Sequence, residues 1–193
     1  TVSREKGRTM IVAFTGLQQS GKTTLFTAVS GKPARSCSLA APEEAVVKVP
    51  DPRFEWLVGY YRPKKVTNAT IECLDLPGLD PGTSAGAAMS RRILGAARKA
   101  DMLALVVRAF DPPGAAGGCD DSAVIGDLDS LRAELLLADL EMVETRIERL
   151  EKEIRTNVKF RQQKEAELGV QIRLREALEE ETPIIELDLA EEE

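Results

Sequence analysis

Histidine is absent from the 193 residues. That omission removes histidine metal ligands, Ser-His-Asp triads and histidine general bases. Any chemistry must come from carboxylates, Lys, Arg, backbone amides or a bound metal. Cysteine is scarce. Cys37, Cys73 and Cys119 are scattered, without the C-x-x-C spacing of a zinc site or the pairing of a disulfide framework. They read as reduced thiols, and the expected location is cytoplasmic. No run reaches the ~18 apolar residues that suggest a bilayer span, so no membrane partner is expected. The charged opening 1–8, followed by only a short apolar stretch, does not read as a secretory signal.

What is present is an ordinary globular balance, 43% hydrophobic and 30% charged, enough to bury a sizeable core. The length fits one domain with an appendage, or two small domains. Charge is uneven. Residues 1–126 hold 16 basic and 12 acidic side chains, whereas 127–193 hold 10 and 20. A net of −10 makes the second region a poor nucleic-acid surface, and no sequence-specific nucleic-acid contact is expected. Lys64 and Lys65 form only a small basic pair, and Arg35, Arg91 and Arg92 read as solvated surface charges.

Short β-prone runs alternate with helical patterns through the first region. Strands are expected at 10–14, 46–49, 69–76 and 102–107, the last a buried one. Helices are expected at 22–29, 53–61 and 88–99, with loops over 33–45, 79–87 and 111–121. Such alternation predicts an α/β fold, a mainly parallel sheet with helices on both faces. From Asp127 the texture changes. Leu128, Leu131, Leu135, Ala138, Met142 and Thr145 follow 3-4 spacing, and Leu140, Ile147, Ile154 and Leu168 a heptad-like series. The pattern predicts an antiparallel helical coiled-coil hairpin turning near 156–163. The expected organisation is a nucleotide-binding domain over 1–126, the helical part over 127–182, and an acidic segment over 183–193 that returns to the first domain.

The chemistry-bearing pattern is Gly16-x-x-x-x-Gly21-Lys22-Thr23, between a predicted strand and a predicted helix. It matches G-x-x-x-x-G-K-[ST], the P-loop. Its glycines let backbone N–H groups turn inward around phosphate oxygens, and the helix aims its positive end at them. Gly16, Gln19, Ser20, Gly21, Lys22, Thr23 and Thr24 are the candidate nucleotide-binding residues. Lys22 would neutralise the β/γ oxygens, and Thr23 would ligate Mg²⁺ through its hydroxyl. Asp75-Leu76-Pro77-Gly78, ending a predicted strand, fits the second phosphate motif. Asp75 would hold Mg²⁺, and the Gly78 amide would sense the γ-phosphate, making Lys22 and Gly78 the catalytic candidates. Leu79 follows, where many GTPases place a water-orienting glutamine, so hydrolysis should be slow. Ser38 is the candidate for a third Mg²⁺ ligand from the first switch, with Ser36 less suited.

These segments resemble the YchF/Obg-like ATPase family of P-loop proteins. The carrying stretches are 16–26 (GLQQSGKTTLF), 49–53 (VPDPR), 63–79 (PKKVTNATIECLDLPGL), 106–111 (VVRAFD) and 134–149 (ELLLADLEMVETRIER). The resemblance implies a Ras-like P-loop domain with a coiled-coil insertion. It implies a purine nucleotide, ATP or GTP, held with Mg²⁺ and slowly hydrolysed, and association with the ribosome. A hydrophobic residue in the glutamine position is a family feature that Leu79 fits. Gln18, Gln19 and Ser20 depart from the family's usual Pro-Asn-Val, and the histidine of its flexible loop is missing. The family's base-recognition motif is expected beyond Glu193. The alternative reading is a non-catalytic module that holds nucleotide structurally or binds partners through the acidic hairpin.

Overall fold

The structure, a computed structural model, describes residues 9–32, 42–111, 121–156 and 160–187. The chain divides into two compact units, Thr1–Leu128 and Asp129–Glu193. The expected loop over 111–121 and the switch serines Ser36 and Ser38 fall outside the described residues, apart from the ends of that loop.

In the first unit four strands form one sheet: β1 (Met10–Thr15), β2 (Glu43–Lys48), β3 (Thr70–Asp75) and β4 (Met102–Leu105). Their order is β2-β3-β1-β4. β1 runs parallel to both β3 and β4, and β2 pairs antiparallel with β3. This is the α/β architecture of a P-loop domain, with a mostly parallel sheet. β1 and β3 each read exposed-to-buried toward their C-terminal ends. The apolar load therefore sits beneath the edge from which the functional loops leave.

Helix α1 (Lys22–Ser30) packs on β1, β2 and β3. Phe26 is the anchor, 1% exposed, its ring edge-to-face with Phe14 at 6.4 Å. Ala45 and Cys73 complete that core, with Val47, Ile71, Ala104 and Val106 against it. Burial pushes the Cys73 thiol pKa up, because a thiolate there would lose its hydration.

Helix α2 (Pro52–Tyr61) starts where Asp51 accepts from the N–H groups of Arg53 (3.0 Å) and Phe54 (3.4 Å), with Pro52 in the first turn. The VPDPR stretch is thus a helix-initiating cap. Helix α3 (Ser84–Ala97) begins earlier than the expected residue 88. Thr83 caps it by accepting from the Gly86 N–H at 3.0 Å. A Cβ on Gly86 would lie 2.2 Å from the Asp80 carbonyl oxygen, so glycine is what lets the chain turn there. The small residues of 82–88 build a tight helix entry rather than a loop. β4 also differs from expectation. It lies at the edge of the described sheet, so Met102 and Leu103 stay exposed although the run is apolar.

The long helix α4 (Asp121–Thr156) continues into the second unit, where α5 (Arg161–Glu179) returns, followed by a 3-10 turn at Ile184–Glu186. The helices break within the expected turn region; 157–159 lie outside the described residues. Val143, Ile147, Leu174 and Leu178 form the hairpin core, joined by Leu136, Leu140 and Leu168. Two ion pairs clasp the helices: Arg146 to Glu167 (2.6 Å) and Lys164 to Glu153 (2.9 Å). The hydrogen bond from Lys164 holds the Glu153 carboxyl below its ordinary range. Met142 and Thr145 of the first expected seam do not line this core, and Met142 is exposed. The core instead follows the second expected series, Leu140, Ile147 and Leu168, joined by Val143 and, along the same 4-3-4-3 stripe of α4, by the buried Leu150.

Two measurements check this packing. Phe26→Ala should cost about 3–5 kcal/mol in urea unfolding, the range for truncating a fully buried aromatic. Mass-resolved thiol labelling near neutral pH should find Cys73 protected in the folded chain and reactive in urea.

Candidate functional site

Parallel pairing of β1 with β3 sets Phe14 opposite Asp75. Both strands therefore deliver their following loops to the same sheet edge, where α/β proteins hold ligands. The loop after β1 closes on itself. The Ser20 N–H donates to the Leu17 carbonyl at 3.4 Å. Gln19 and Gly21 adopt positive φ, 59° and 93°, and Gly21 is the residue from which α1 departs. α1 has no side-chain cap and no acidic residue in its first turn. The helix thus supplies no anion of its own to its first-turn amides, an arrangement suited to phosphate.

Gly16 is required for a different reason. A Cβ there would lie 2.2 Å from the Val106 carbonyl oxygen and 2.9 Å from Ser20 Oγ. The Val106 N–H in turn donates to the Thr15 carbonyl at 2.8 Å, extending the β1–β4 ladder past β4. The phosphate loop is thus pressed against the chain that follows β4.

Lys22 is 6% exposed, its ammonium donating to the Leu17 carbonyl at 2.7 Å and toward Ser20 Oγ at 3.4 Å. Both oxygens belong to the phosphate loop itself, so the ammonium is held inside the loop, where a bound phosphate would come within its reach. The Thr23 hydroxyl donates to Asp75 Oδ2 at 2.7 Å, and Asp75 is fully buried. The two proposed metal ligands, from different elements, are therefore in direct contact. No cluster of three or more acidic, cysteine or histidine side chains able to hold a metal occurs among the described residues. A cation here would rest on one carboxylate, one hydroxyl and oxygens of a bound phosphate. That donor set fits Mg²⁺, which usually binds through one or two carboxylates plus substrate phosphates rather than in an all-protein cage.

The Asp75–Gly78 segment is stitched to the phosphate loop. Leu76 N–H donates to the Phe14 carbonyl (3.2 Å), Leu79 N–H to the Gly16 carbonyl (3.0 Å), and Gln18 N–H to the Leu79 carbonyl (3.1 Å). Leu17 and Leu79 form an isolated parallel bridge. A Cβ on Gly78 would lie 2.8 Å from Gln18 Cα. Leu79 is 1% exposed, so its side chain belongs to the core and not to the phosphate-facing surface. Next along, Ser90 Oγ on α3 accepts from the Asp80 N–H at 3.1 Å, tying the start of the second switch to a helix.

The structure thus brings Gly16, Gln19, Ser20, Gly21, Lys22, Thr23 and Thr24 into one loop-helix junction, with Asp75 and Gly78 beside it. Ser38 lies outside the described residues. The sequence reading missed the Gln18–Leu79 stitch, the Ser90 anchor and the Val106 contact. Each is a backbone or tertiary contact that leaves no local motif.

No protein-family model matches the chain. Curated relatives do. Obg-like ATPase 1 of Schizosaccharomyces pombe is 36% identical over 151 residues, covering 76% of this chain and 38% of that protein. The ribosome-binding ATPase YchF of Bacillus subtilis is 33% identical over 184 residues, covering 92% and 49%. Among solved structures, the Schizosaccharomyces pombe YchF GTPase superposes with a TM-score of 0.75 at 31% identity, covering 96% of this chain and 51% of that one. The chain spans about half the length of these relatives or less.

The glycine geometry is directly testable. Gly16→Ala should destabilise the chain by about 1–3 kcal/mol, the cost of forcing atoms into a packed site. Gly95→Ala on α3, where a Cβ meets nothing within 4 Å, should instead stabilise by up to about 1 kcal/mol. Urea denaturation of the pair reads both signs.

Proposed function

Because the chain belongs to the YchF/Obg-like ATPase family, we propose that it binds a purine nucleoside triphosphate with Mg²⁺, hydrolyses it slowly, and acts in association with the ribosome. The observation that carries the nucleotide reading is the buried Lys22 ammonium beside an uncapped helix N-terminus, with the Thr23–Asp75 contact adjoining it. In this reading Lys22 leaves the Leu17 carbonyl for the β/γ oxygens. Backbone amides of Gln19 to Thr24 would take the phosphates, and Thr23 and Asp75, already in contact, would hold Mg²⁺. The bound cation supplies charge neutralisation at the phosphates. Gly78, held against Gln18, couples γ-phosphate occupancy to the segment running into α3, which serves as the switch.

Phosphoryl transfer depends mainly on positioning and electrostatic stabilisation, so turnover can proceed without a side-chain base. Slow turnover follows from Leu79, whose buried side chain cannot order a water at the γ-phosphate. The relatives are named as ATPases and the superposed structure as a GTPase, so either base is compatible with the family. The reading assigns 1–126 to nucleotide binding and 127–182 to a helical arm offered to partners. The ribosome association rests on the name of the Bacillus subtilis relative.

Phosphate release measured under single-turnover conditions tests the catalytic half. Wild type should release phosphate slowly from ATP or GTP and only with Mg²⁺, and Asp75→Asn should lose the Mg²⁺ dependence along with most of the rate. Leu79→Gln should not accelerate hydrolysis. It would place an amide in a core position and cost about 1–3 kcal/mol of stability. Nucleotide binding with no Mg²⁺-dependent release would instead identify a non-catalytic module. A fast Leu79→Gln variant would show that residue 79 reaches the phosphates.

A further inference from the structure

Four of the chain's eight aromatic residues fall within α2, a helix with no fully buried residue. Phe54 and Val58 are half-buried and lie on one side of it. Trp56 and Tyr60, two residues further on in each case, fall on the opposite side at 100° per residue. They are 66% and 70% exposed, and Tyr61 is 71% exposed. The helix therefore already has its inward-facing residues. The outer aromatics are a second, separate face. Exposed Trp and Tyr in a contiguous group mark contact surfaces more often than solvated ones.

These rings are arranged. Trp56 and Tyr60 stack, with centroids 5.5 Å apart and planes at 13°, and Tyr61 meets Tyr60 edge-on at 4.9 Å. Two nearly parallel rings make a short stack whose outer face can continue with another planar ring. Arg53 precedes Trp56 by three residues and so lies on the same stripe. Beyond the helix, Arg62, Lys64 and Lys65 are all exposed. Over 51–65 four cations face two carboxylates; Asp51 both caps the helix and pairs with Arg53 at 3.4 Å, so the local positive charge is carried mainly by Arg62, Lys64 and Lys65. The patch is aromatic and locally basic in a chain that is acidic overall.

We infer that this face of α2 is a stacking platform for unpaired RNA bases, with the Arg53 and Arg62–Lys65 cations contacting the adjoining phosphates. Stacking platforms flanked by cations are how proteins hold single strands without reading sequence. An acidic protein surface would pair with the cations, whereas a single strand uses the parallel ring faces and the cations together, base on ring and phosphate on cation. The choice of RNA over other single strands rests on the proposed ribosome association. The platform uses none of the phosphate-loop residues.

Trp56 is the only tryptophan in the chain, so its emission reports on this face alone. Titration with a twelve-nucleotide oligouridylate should quench Trp56, and the midpoint should weaken about tenfold between 50 and 200 mM salt, as two or three phosphate contacts require. Tyr60→Ala should weaken binding about tenfold, the loss of one stacking surface. Lys64→Ala combined with Lys65→Ala should flatten the salt dependence. All these side chains are exposed, so urea unfolding of each variant should match wild type. No quenching, and no anisotropy change of a labelled oligonucleotide up to about 100 µM, would overturn the inference, since non-specific binding falls at or below that range. Co-sedimentation with ribosomes separates the two claims. Wild type that pellets while Tyr60→Ala pellets equally, with oligouridylate unbound, refutes the platform and leaves the ribosome reading standing. Oligouridylate binding without pelleting supports the platform and refutes the ribosome reading.

Discussion

Every functional element near the phosphate loop depends on Phe14 lying opposite Asp75 in the parallel ladder between β1 and β3. Parallel strands release their loops at one edge, so the side chains of Thr23, the second residue of α1, and Asp75, at the end of β3, meet at 2.7 Å although they stand 52 positions apart in sequence. A slip of one residue would turn Asp75 to the other face of the sheet and remove it from Thr23. The register is held by burial. Ala13, Phe14, Cys73 and Leu74 are all inside, and Phe26 of α1 packs onto the same ground. The hydrophobic core and the polar site are consecutive residues of the same strands.

Close backbone contact is the second constraint. Gly16 and Gly78 have no unusual φ, and neither is glycine for conformational freedom. Each is glycine because another backbone passes where its Cβ would be: the Val106 carbonyl for Gly16 and Gln18 for Gly78. The phosphate loop is thereby clamped between the chain following β4 and the chain following β3. If, as proposed, Gly78 faces a γ-phosphate, the contacts through Gly78 and Leu79 to Ser90 on α3 give a change there a mechanical route. Leu79 serves that clamp from inside the core, which accounts physically for a hydrophobic side chain where other P-loop proteins carry glutamine.

Much of this was legible in the sequence because the relevant signals are local. The P-loop spacing, the apolar runs of β1 and β3, and the cap-like Gly21 and Gly31 around α1 each act within a few residues. Other features were not legible for equally physical reasons. Small residues around Gly86 look like a breaker until the Thr83 cap and the Asp80 carbonyl are placed. An apolar run such as 102–105 says nothing about whether it becomes a central or an edge strand. Antiparallel pairing of β2 depends on a long-range choice of neighbour. In the hairpin, two apolar series ran along the same helix, and the spacing could not say which would face α5: Leu140, Ile147 and Leu168 do, whereas Met142 stays exposed. The Trp56–Tyr60 stack was hidden because an exposed aromatic and a core aromatic look alike in a string of letters.

The central claim is that the loop-helix junction at Gly16–Thr24 is a phosphate site completed by Mg²⁺. Calorimetric titration of the purified chain with ATP and with GTP in Mg²⁺, against the Lys22→Ala variant, tests it most directly. Wild type should bind one nucleotide saturably, and Lys22→Ala should abolish that binding while remaining folded. Absence of binding to both nucleotides by a demonstrably folded chain, or undiminished binding by Lys22→Ala, would contradict it.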